Sequence, residues 1–300
     1  MKLYAPKYYS EFKCIADKCT HSCCIGWEID IDPNTLEKYS VLDCNYGDTI
    51  RKSIVGDVPH FALCQGERCP HLDSKGLCKI ISLLGEGYLC DICREHPRFY
   101  VYAPDRVEMG VGMSCYAAAS LILSSDYALV QVGERDGEAA SGLDTVALRE
   151  HFYAILGDGS LTYGEKLRKI YSELDLSALL DAEVFYKRIF SSLEYLYPEN
   201  QEKFSVFSPS LDAPAFLQKP LENALAYFIL RHCTEALDVD DYRARMGFCL
   251  ICERLLCSLF TAFPSCDRIL LACAVSEELE YSTANEELIT DAVYELITAR

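Results

Sequence analysis

The distribution of cysteine constrains this chain more than any other feature of its sequence. Of the 17 cysteines in 300 residues, eleven lie within the first 115 residues, none lies between 116 and 232, and six follow. The N-terminal stretch MKLYAPKYYSEF has no apolar segment of the signal-peptide type, so we expect a cytoplasmic protein, in a compartment where disulfides rarely persist. Clustered thiols in that compartment indicate metal binding.

The cysteines of the first 115 residues form two groups at metal-ligand spacing. The first is Cys14-x4-Cys19-x3-Cys23-Cys24, and the second is Cys64-x4-Cys69-x8-Cys78-x11-Cys90-x2-Cys93, which Cys115 follows. A zinc site and an iron–sulfur cluster each take four ligands, so ten candidates allow two centres, or one centre with additional buried thiols. His21, His71 and His96 lie among them and are candidates to replace a thiolate.

The six C-terminal cysteines suggest a different role. Cys249, Cys252 and Cys257 lie at helical spacing on an apolar face, where free cysteine behaves as a small hydrophobic residue. We therefore expect these thiols to pack in a core.

Composition and charge exclude several classes of protein. Half of the residues are hydrophobic and a quarter are charged, which is typical of a folded globular chain. The net charge of -18 argues against nucleic acid and against an anionic membrane as partners, because phosphate binding needs a basic face. The longest uncharged run, at 109–125, contains glycine and serine and predicts a buried segment instead of a membrane span.

The hydrophobic pattern predicts a mainly α protein in two parts. We predict a cysteine-rich metal-cluster region with short helices and little strand over 1–130, a linker over 131–142, and an all-α helical bundle over 143–300. In the first part, residues 26–31 alternate as in a strand, and Asp32-Pro33 predicts the start of a helix over 34–39. In the bundle, apolar residues recur every three or four positions over 145–156, 164–174, 181–197, 220–237, 240–263 and 286–297.

Several blocks of the sequence resemble the flagellin lysine-N-methylase family, part of a broader group of zinc- or iron-chelating cysteine-cluster proteins. The blocks are CIADKCTHSCCIGWEIDID at 14–32, CPHLDSKGLCKI at 69–80, LCDICREHPRFY at 89–100 and SCYAAASLIL at 114–123. Two more, ENALAYFILRHC at 222–233 and DDYRARMGF at 240–248, resemble the helical C-terminal part of that family. Tyr116 stands where family members often carry proline, and many members are longer than 300 residues.

The resemblance implies a protein-lysine N-methyltransferase that transfers a methyl group from S-adenosylmethionine to flagellin. It also implies an iron–sulfur cluster, of the 4Fe–4S type, with zinc as the alternative metal. The candidate ligands are Cys14, Cys19, Cys23, Cys24, Cys64, Cys69, Cys78, Cys90, Cys93 and Cys115.

Arg94 and Arg98 are the candidate cofactor-binding residues, because their guanidinium groups suit cluster sulfides or the carboxylate of the methyl donor. The alternative is a charged turn that holds Asp91 or Glu95.

The residues themselves contain no familiar binding motif for the methyl donor. The Cys-x3-Cys-x2-Cys spacing of radical enzymes is absent, and the Gly110-x-Gly112 pair lacks a clear βαβ setting. Donor binding therefore rests on the resemblance.

Methylation of lysine also requires a group that removes a proton, because lysine has an ordinary pKa of about 10.4. Glu28 and Asp30 are two candidates among many, and the sequence does not single out a catalytic base. The rival hypothesis is a non-catalytic zinc- or iron-binding protein that acts as an interaction or metal-handling module.

Overall fold

The computed structural model describes residues 1–138 and 143–298, and the chain divides into two compact units. The cysteine-rich unit comprises Lys13–Arg98, and the helical unit comprises Met1–Phe12 together with Phe99–Arg300. In chain order, the cysteine-rich unit is thus an insertion within the helical unit. These bounds differ from the predicted division at 131–142.

Helices provide most of the regular structure, which confirms the prediction of a mainly α protein. The α-helices are α1 (Pro33–Ser40), α2 (Asn45–Lys52), α3 (Lys79–Leu84), α4 (Asp91–Glu95), α5 (Tyr116–Ser124), α6 (Thr145–Gly157), α7 (Tyr163–Glu173), α8 (Glu183–Ser192), α9 (Pro198–Phe204), α10 (Ala215–Cys233), α11 (Val239–Ala262), α12 (Arg268–Leu279) and α13 (Thr283–Thr298). The strands are β1 (Lys2–Pro6), β2 (Ile54–Val55), β3 (His60–Phe61), β4 (Arg98–Tyr102), β5 (Arg106–Val111) and β6 (Leu129–Glu134).

A four-stranded sheet explains why the first strand of the chain belongs to the helical unit. The strand order is β4-β5-β1-β6, and β1 is parallel to β5 but antiparallel to β6. Leu3 lies opposite Val107 of β5 and Gly133 of β6. Because Val107 and Val111 are fully buried, β5 carries the apolar side of this sheet into the core.

The predicted linker over 131–142 begins as part of this sheet. β6 extends to Glu134, and Ala5 of β1 lies opposite Val130. Residues 139–142 of the predicted linker lie outside the described residues. The polar composition misled the prediction because β6 is an edge strand, which tolerates polar residues along its unpaired side.

Most of the predicted helices are present in the helical unit. The stretches 145–156, 164–174, 240–263 and 286–297 correspond to α6, α7, α11 and α13, whereas 181–197 is helical mainly in α8. α10 begins at Ala215 and contains Pro220, which was the predicted start. The prediction missed α5, α9 and α12.

The core of the helical unit is built around α10 and α11, which are buried on nearly all sides. Cys249, Cys252 and Cys257 of α11 are buried in it, as predicted for packing thiols. None of the helices in the described part of the chain combines the length and apolar character needed to cross a bilayer.

The cysteine-rich unit has short elements and irregular connections. Asp32 caps α1, since its Oδ1 accepts the Thr35 N–H at 2.9 Å, and Pro33 occupies the first turn, as predicted. The strand predicted over 26–31 is wrong: the chain bends at residues 26 and 27, and the segment forms only an isolated bridge, from Asp30 to His60. The alternation still sets burial, because Ile29 and Ile31 are buried whereas Glu28 and Asp30 are exposed.

The apolar core of this unit is small. Its buried members are Ile29, Ile31, Tyr39, Ile50, Phe61, Cys69, Ile80, Leu89 and Cys90. Two of these nine residues are predicted metal ligands, so apolar packing and the candidate metal centre share the same interior.

Candidate metal centre

Five of the predicted ligands surround the small core of the cysteine-rich unit. Cys69 and Cys90 are buried in it, and Cys24, Cys78 and Cys93 pack against it. A backbone hydrogen bond joins the two cysteine groups of the sequence, because the Cys69 N–H donates to the Cys24 carbonyl oxygen at 2.9 Å. Thiols from both groups therefore meet in one interior.

Local structure explains the spacings of the second cysteine group. Between Cys69 and Cys78 the chain turns back on itself, because Asp73 Oδ1 accepts the N–H groups of Lys75 and Leu77 at 2.8 and 2.9 Å. Cys78 then caps α3. Cys90 and Cys93 fall at the N-cap and in the first turn of α4, which places both thiols on one side of that turn.

Cys90 and Cys93 form the first of two interacting thiol pairs. The hydrogen bond between them lowers the pKa of Cys90 and raises that of Cys93, so Cys90 is the sulfur that carries negative charge more readily. The Tyr39 hydroxyl lies 3.8 Å from Cys90 Sγ and also stabilises the thiolate. Such a thiolate is both a nucleophile and a soft metal ligand.

Cys23 and Cys24 form the second pair. The hydrogen bond between their thiols lowers the pKa of Cys23 to about 7, well below its ordinary value, and raises the pKa of Cys24. Burial and the nearby sulfurs of Cys69 and Cys93 raise the pKa of Cys24 further. A negative charge on one of these sulfurs therefore disfavours a negative charge on the others.

The donor chemistry of this interior fits a thiolate-ligated centre. Burial and repulsion from Cys78 and Cys90 raise the pKa of Cys69 to about 11, and a bound cation would relieve that repulsion. In the described part of the chain, no group of three or more Cys, His, Asp or Glu side chains is arranged so that it could hold a metal ion. The set of ligands therefore stays a prediction.

The other predicted ligands are not among the residues that form the small core or pack against it. Cys14, Cys23 and Cys64 are exposed, and Cys19 is half-buried with its thiol donating to the His21 carbonyl oxygen at 2.8 Å. Cys115 belongs to the helical unit, where it occupies the N-cap position of α5 and packs against the large core.

His71 is held in the core of the cysteine-rich unit by two hydroxyl groups. Its Nδ1 lies 2.8 Å from the Tyr46 hydroxyl and its Nε2 lies 3.0 Å from Ser53 Oγ. Burial, together with the charge of Lys79, lowers its pKa to about 4, so the ring is neutral near pH 7. With both ring nitrogens engaged, His71 serves packing in this arrangement.

The two predicted cofactor-binding arginines lie on and just beyond α4. The Arg94 guanidinium pairs with Asp91 and, at 3.5 Å, with Glu95, and it is about half-exposed. Arg98 Nη1 donates to the Arg94 carbonyl oxygen at 3.3 Å. Arg94 thus holds the charged turn that the sequence offered as the alternative, and the cofactor-binding role of both residues stays a prediction.

The Gly110-x-Gly112 pair lies where β5 turns toward α5, but no βαβ unit follows, because β6 returns antiparallel to β1. A Cβ on Gly110 would lie 2.5 Å from the Phe99 ring, and one on Gly112 would lie 2.2 Å from the Tyr281 hydroxyl. Both glycines therefore allow close packing of aromatic side chains.

Sequence reasoning missed a buried ionic cluster in the helical unit. Glu280, which follows α12, is buried, and its Oε1 lies 2.8 Å from His232 Nε2, 3.0 Å from the Tyr227 hydroxyl and 3.3 Å from Arg231 Nε. Burial opposes the charge of Glu280, but Arg231 and His232 outweigh it and hold the pKa of this carboxyl below its ordinary value. The cluster joins α10 to the end of α12, and its members on the two helices lie about fifty residues apart in the sequence. The periodicity of hydrophobic residues gives no information about contacts over such a separation.

Comparison with known proteins gives partial matches to two kinds of curated relative. Over 138 residues the chain is 28% identical to a protein named lysine-N-methylase from Salmonella typhimurium, and equally to one from Salmonella choleraesuis. It is also 27% identical over 138 residues to the flagellar biosynthetic protein FliU of Salmonella muenchen. These matches support the resemblance to the flagellin lysine-N-methylase family.

The coverage of these matches differs between the relatives. The alignment takes in 41% of this chain and 33% of each lysine-N-methylase, but 43% of this chain and 81% of the FliU protein. The chain is thus matched to only a third of the length of the two methylases. No family model and no solved structure matches the chain.

Proposed function

We propose that this protein is a protein-lysine N-methyltransferase that transfers a methyl group from S-adenosylmethionine to lysine ε-amines of flagellin in the cytoplasm. The observation that carries this proposal is the similarity to proteins named lysine-N-methylase, together with the similarity to a flagellar biosynthetic protein. The shared interior of thiols in the cysteine-rich unit supports the accompanying metal centre.

The proposed metal centre is an iron–sulfur cluster of the 4Fe–4S type, with zinc as the alternative. Cys24, Cys69, Cys78, Cys90 and Cys93 are the first candidates to hold it, because they surround one core. When bound, such a group supplies positive charge that stabilises several thiolates and links loops that have little apolar packing of their own. The Tyr39 hydroxyl lies beside this group, 3.8 Å from Cys90 Sγ, and donates its own proton to the Tyr88 carbonyl oxygen at 2.6 Å.

The substrate lysine must lose a proton before its nitrogen can attack a methyl group, because the ammonium has no lone pair. The chain is strongly acidic, with a net charge of -18, and this favours the approach of a lysine-bearing segment by electrostatic attraction. No catalytic base is assigned.

A second candidate function is a non-catalytic metal-binding module that acts in protein interaction or metal handling. The observation that favours it is the small core of the cysteine-rich unit, which has nine buried apolar residues in 86 positions. In a unit with so small a core, the free energy of metal binding would contribute directly to folding.

Co-expression with flagellin separates the two functions. Under the enzyme hypothesis, mass spectrometry of flagellin shows lysine peptides that gain the mass of one or more methyl groups only when the chain is present. The Cys78→Ser variant should reduce this gain, whereas Cys266→Ser, which changes an exposed cysteine of the helical unit, should not.

Unmodified flagellin in the presence of folded, metal-loaded protein would overturn the enzyme hypothesis and leave the binding module. Visible absorbance of anaerobically purified protein distinguishes an iron–sulfur cluster from colourless zinc.

A further inference from the structure

The helical unit contains a cavity that none of the predicted site residues touches. Its volume is about 500 Å³, and it lies between α8, α9 and the segment that follows α9. Aromatic rings line its interior, and the side chains of Glu183 and Lys187 lie at its rim. A cavity of this size falls within the range of small-molecule sites, roughly 300–1,000 Å³.

The aromatic wall is formed by four rings in mutual contact. The ring centroids of Tyr186 and Phe207 are 4.4 Å apart, those of Phe190 and Phe207 are 4.9 Å apart, and Phe204 lies 6.3 Å from Phe190. Phe204 is fully buried, and the Tyr186 hydroxyl donates to the Leu179 carbonyl oxygen at 2.7 Å, so the wall is fixed in place. The faces of aromatic rings attract cations, most strongly where water is excluded.

The rim carries one positive and one negative group side by side. Lys187 Nζ lies 2.7 Å from Glu183 Oε1 within one turn of α8, and both side chains are largely exposed. An exposed pair of this kind contributes little to stability, so its partners can be exchanged at low cost. A ligand that ends in an ammonium and a carboxylate complements both groups at once.

We propose that this cavity binds the methyl donor, a sulfonium that carries an adenosine and a zwitterionic amino-acid end. The sulfonium cation would lie against the aromatic wall, in which Phe207 is half-buried and the other three rings are buried, and the amino-acid end would pair with Glu183 and Lys187. This inference rests on the proposed function, because that function is what requires a sulfonium ligand.

Direct binding measurements test the site without measuring methyl transfer. The full chain, purified with its metal, is titrated by calorimetry with S-adenosylmethionine and with S-adenosylhomocysteine, which lacks the positive charge on sulfur. Wild type should bind the sulfonium more tightly. The Phe207→Leu variant should weaken sulfonium binding about threefold to thirtyfold while changing binding of the neutral thioether less.

The rim has its own variant and control. Lys187→Gln should weaken the binding of both ligands by a similar factor, since both carry the carboxylate. Arg188 lies on the same helix and is also exposed, but it does not line the cavity, so Arg188→Gln should weaken the binding of neither ligand. Because Lys187 is exposed, this variant keeps the fold, which circular dichroism and thermal melting check for every variant.

The outcomes separate this site from the proposed function. If neither ligand binds wild type, both the methyl-donor proposal and this site fall. If wild type binds but folded Phe207→Leu and Lys187→Gln bind equally well, the site is wrong and the donor binds elsewhere. If Phe207→Leu does not fold, unchanged binding by Lys187→Gln alone is enough to reject the site.

Discussion

The two units use the same residue type in opposite ways. In the helical unit, Cys249, Cys252 and Cys273 are fully buried among leucine, isoleucine and phenylalanine side chains of a large core. In the cysteine-rich unit, most cysteines are half-buried or exposed, and the few buried ones adjoin other thiols. The chemical surroundings, and not the number of cysteines, distinguish a packing thiol from a candidate ligand.

This contrast extends to what holds each unit together. The helical unit has a continuous apolar core, where each fully buried large side chain contributes about 1.5–3 kcal/mol. The cysteine-rich unit has nine buried apolar residues and several thiols whose pKa values are raised by burial and by one another, so that they cannot all ionise together. Apolar packing is extensive in the first unit, whereas the second would gain most from the proposed metal centre.

The largest expected effect comes from removing one thiol in each unit. Cys90→Ser should lower the metal content and make Lys13–Arg98 sensitive to proteolysis, because metal binding at thiolate sites contributes about 10–16 kcal/mol to folding. Cys249→Ala should keep the metal and cost about 1 kcal/mol as a small core truncation. Elemental analysis with limited proteolysis measures both, and equal metal content in the two variants would contradict the distinction between the units.

A smaller but still large effect is expected from a buried ion pair in the helical unit. Arg149 Nη2 donates to Glu108 Oε1 at 2.7 Å, and both side chains are buried. Glu108→Gln leaves the arginine charge uncompensated, so the free energy of unfolding should fall by about 3–5 kcal/mol without loss of metal. Denaturant unfolding measures this change. The control is Glu150→Gln at the exposed neighbour of Arg149, where a loss as large as that of Glu108→Gln would contradict the interpretation.

The smallest effect concerns pH. Burial opposes protonation of His232, but hydrogen bonds to Glu280 and Glu286, both at 2.8 Å, raise its pKa above its ordinary value. The folded state therefore binds this proton more tightly than the unfolded state. The resulting stability is fully present below about pH 6.5 and is lost as pH rises through the folded pKa.

The variant His232→Gln should lose this part of the pH dependence and be less stable by about 1 kcal/mol at pH 6. Denaturant unfolding between pH 5 and pH 9 measures the slope, and exposed His151→Gln serves as the control. An unchanged slope in the His232 variant would show that the imidazole does not carry the charge assigned to it.

The parts of the fold that sequence reasoning predicted depend on neighbouring residues. Asp32 and Pro33 mark the start of α1 by capping and by a fixed backbone angle, both of which act within one turn. The periodic helices α6, α7, α11 and α13 were found for the same reason. The sheet was missed because β1 pairs with segments about a hundred and more residues away, a pairing that no local pattern encodes.

The candidate site shows the same division between local and distant information. Spacing identified the cysteines of both groups as candidate ligands, but not that Cys24 and Cys69 lie side by side, which depends on a backbone hydrogen bond between distant loops. Nothing in the spacing indicated that His71 is engaged by Tyr46 and Ser53. Likewise, the cavity beside Phe207 is lined by α8, α9 and the segment after α9, and the spacing of residues within one helix does not indicate such a cavity.

The place of β1 at the start of the chain has a consequence for the order of events during synthesis. β1 cannot pair with β5 until Arg106, which lies opposite Lys2, has been synthesised. At a synthesis rate of about 5–20 residues per second, the delay between these two residues is roughly 5–20 seconds. Throughout that interval Lys13–Arg98 is emerging from the ribosome while its host sheet is unformed. Under the proposed function, the nascent thiols can therefore bind metal before the rest of the chain has been synthesised.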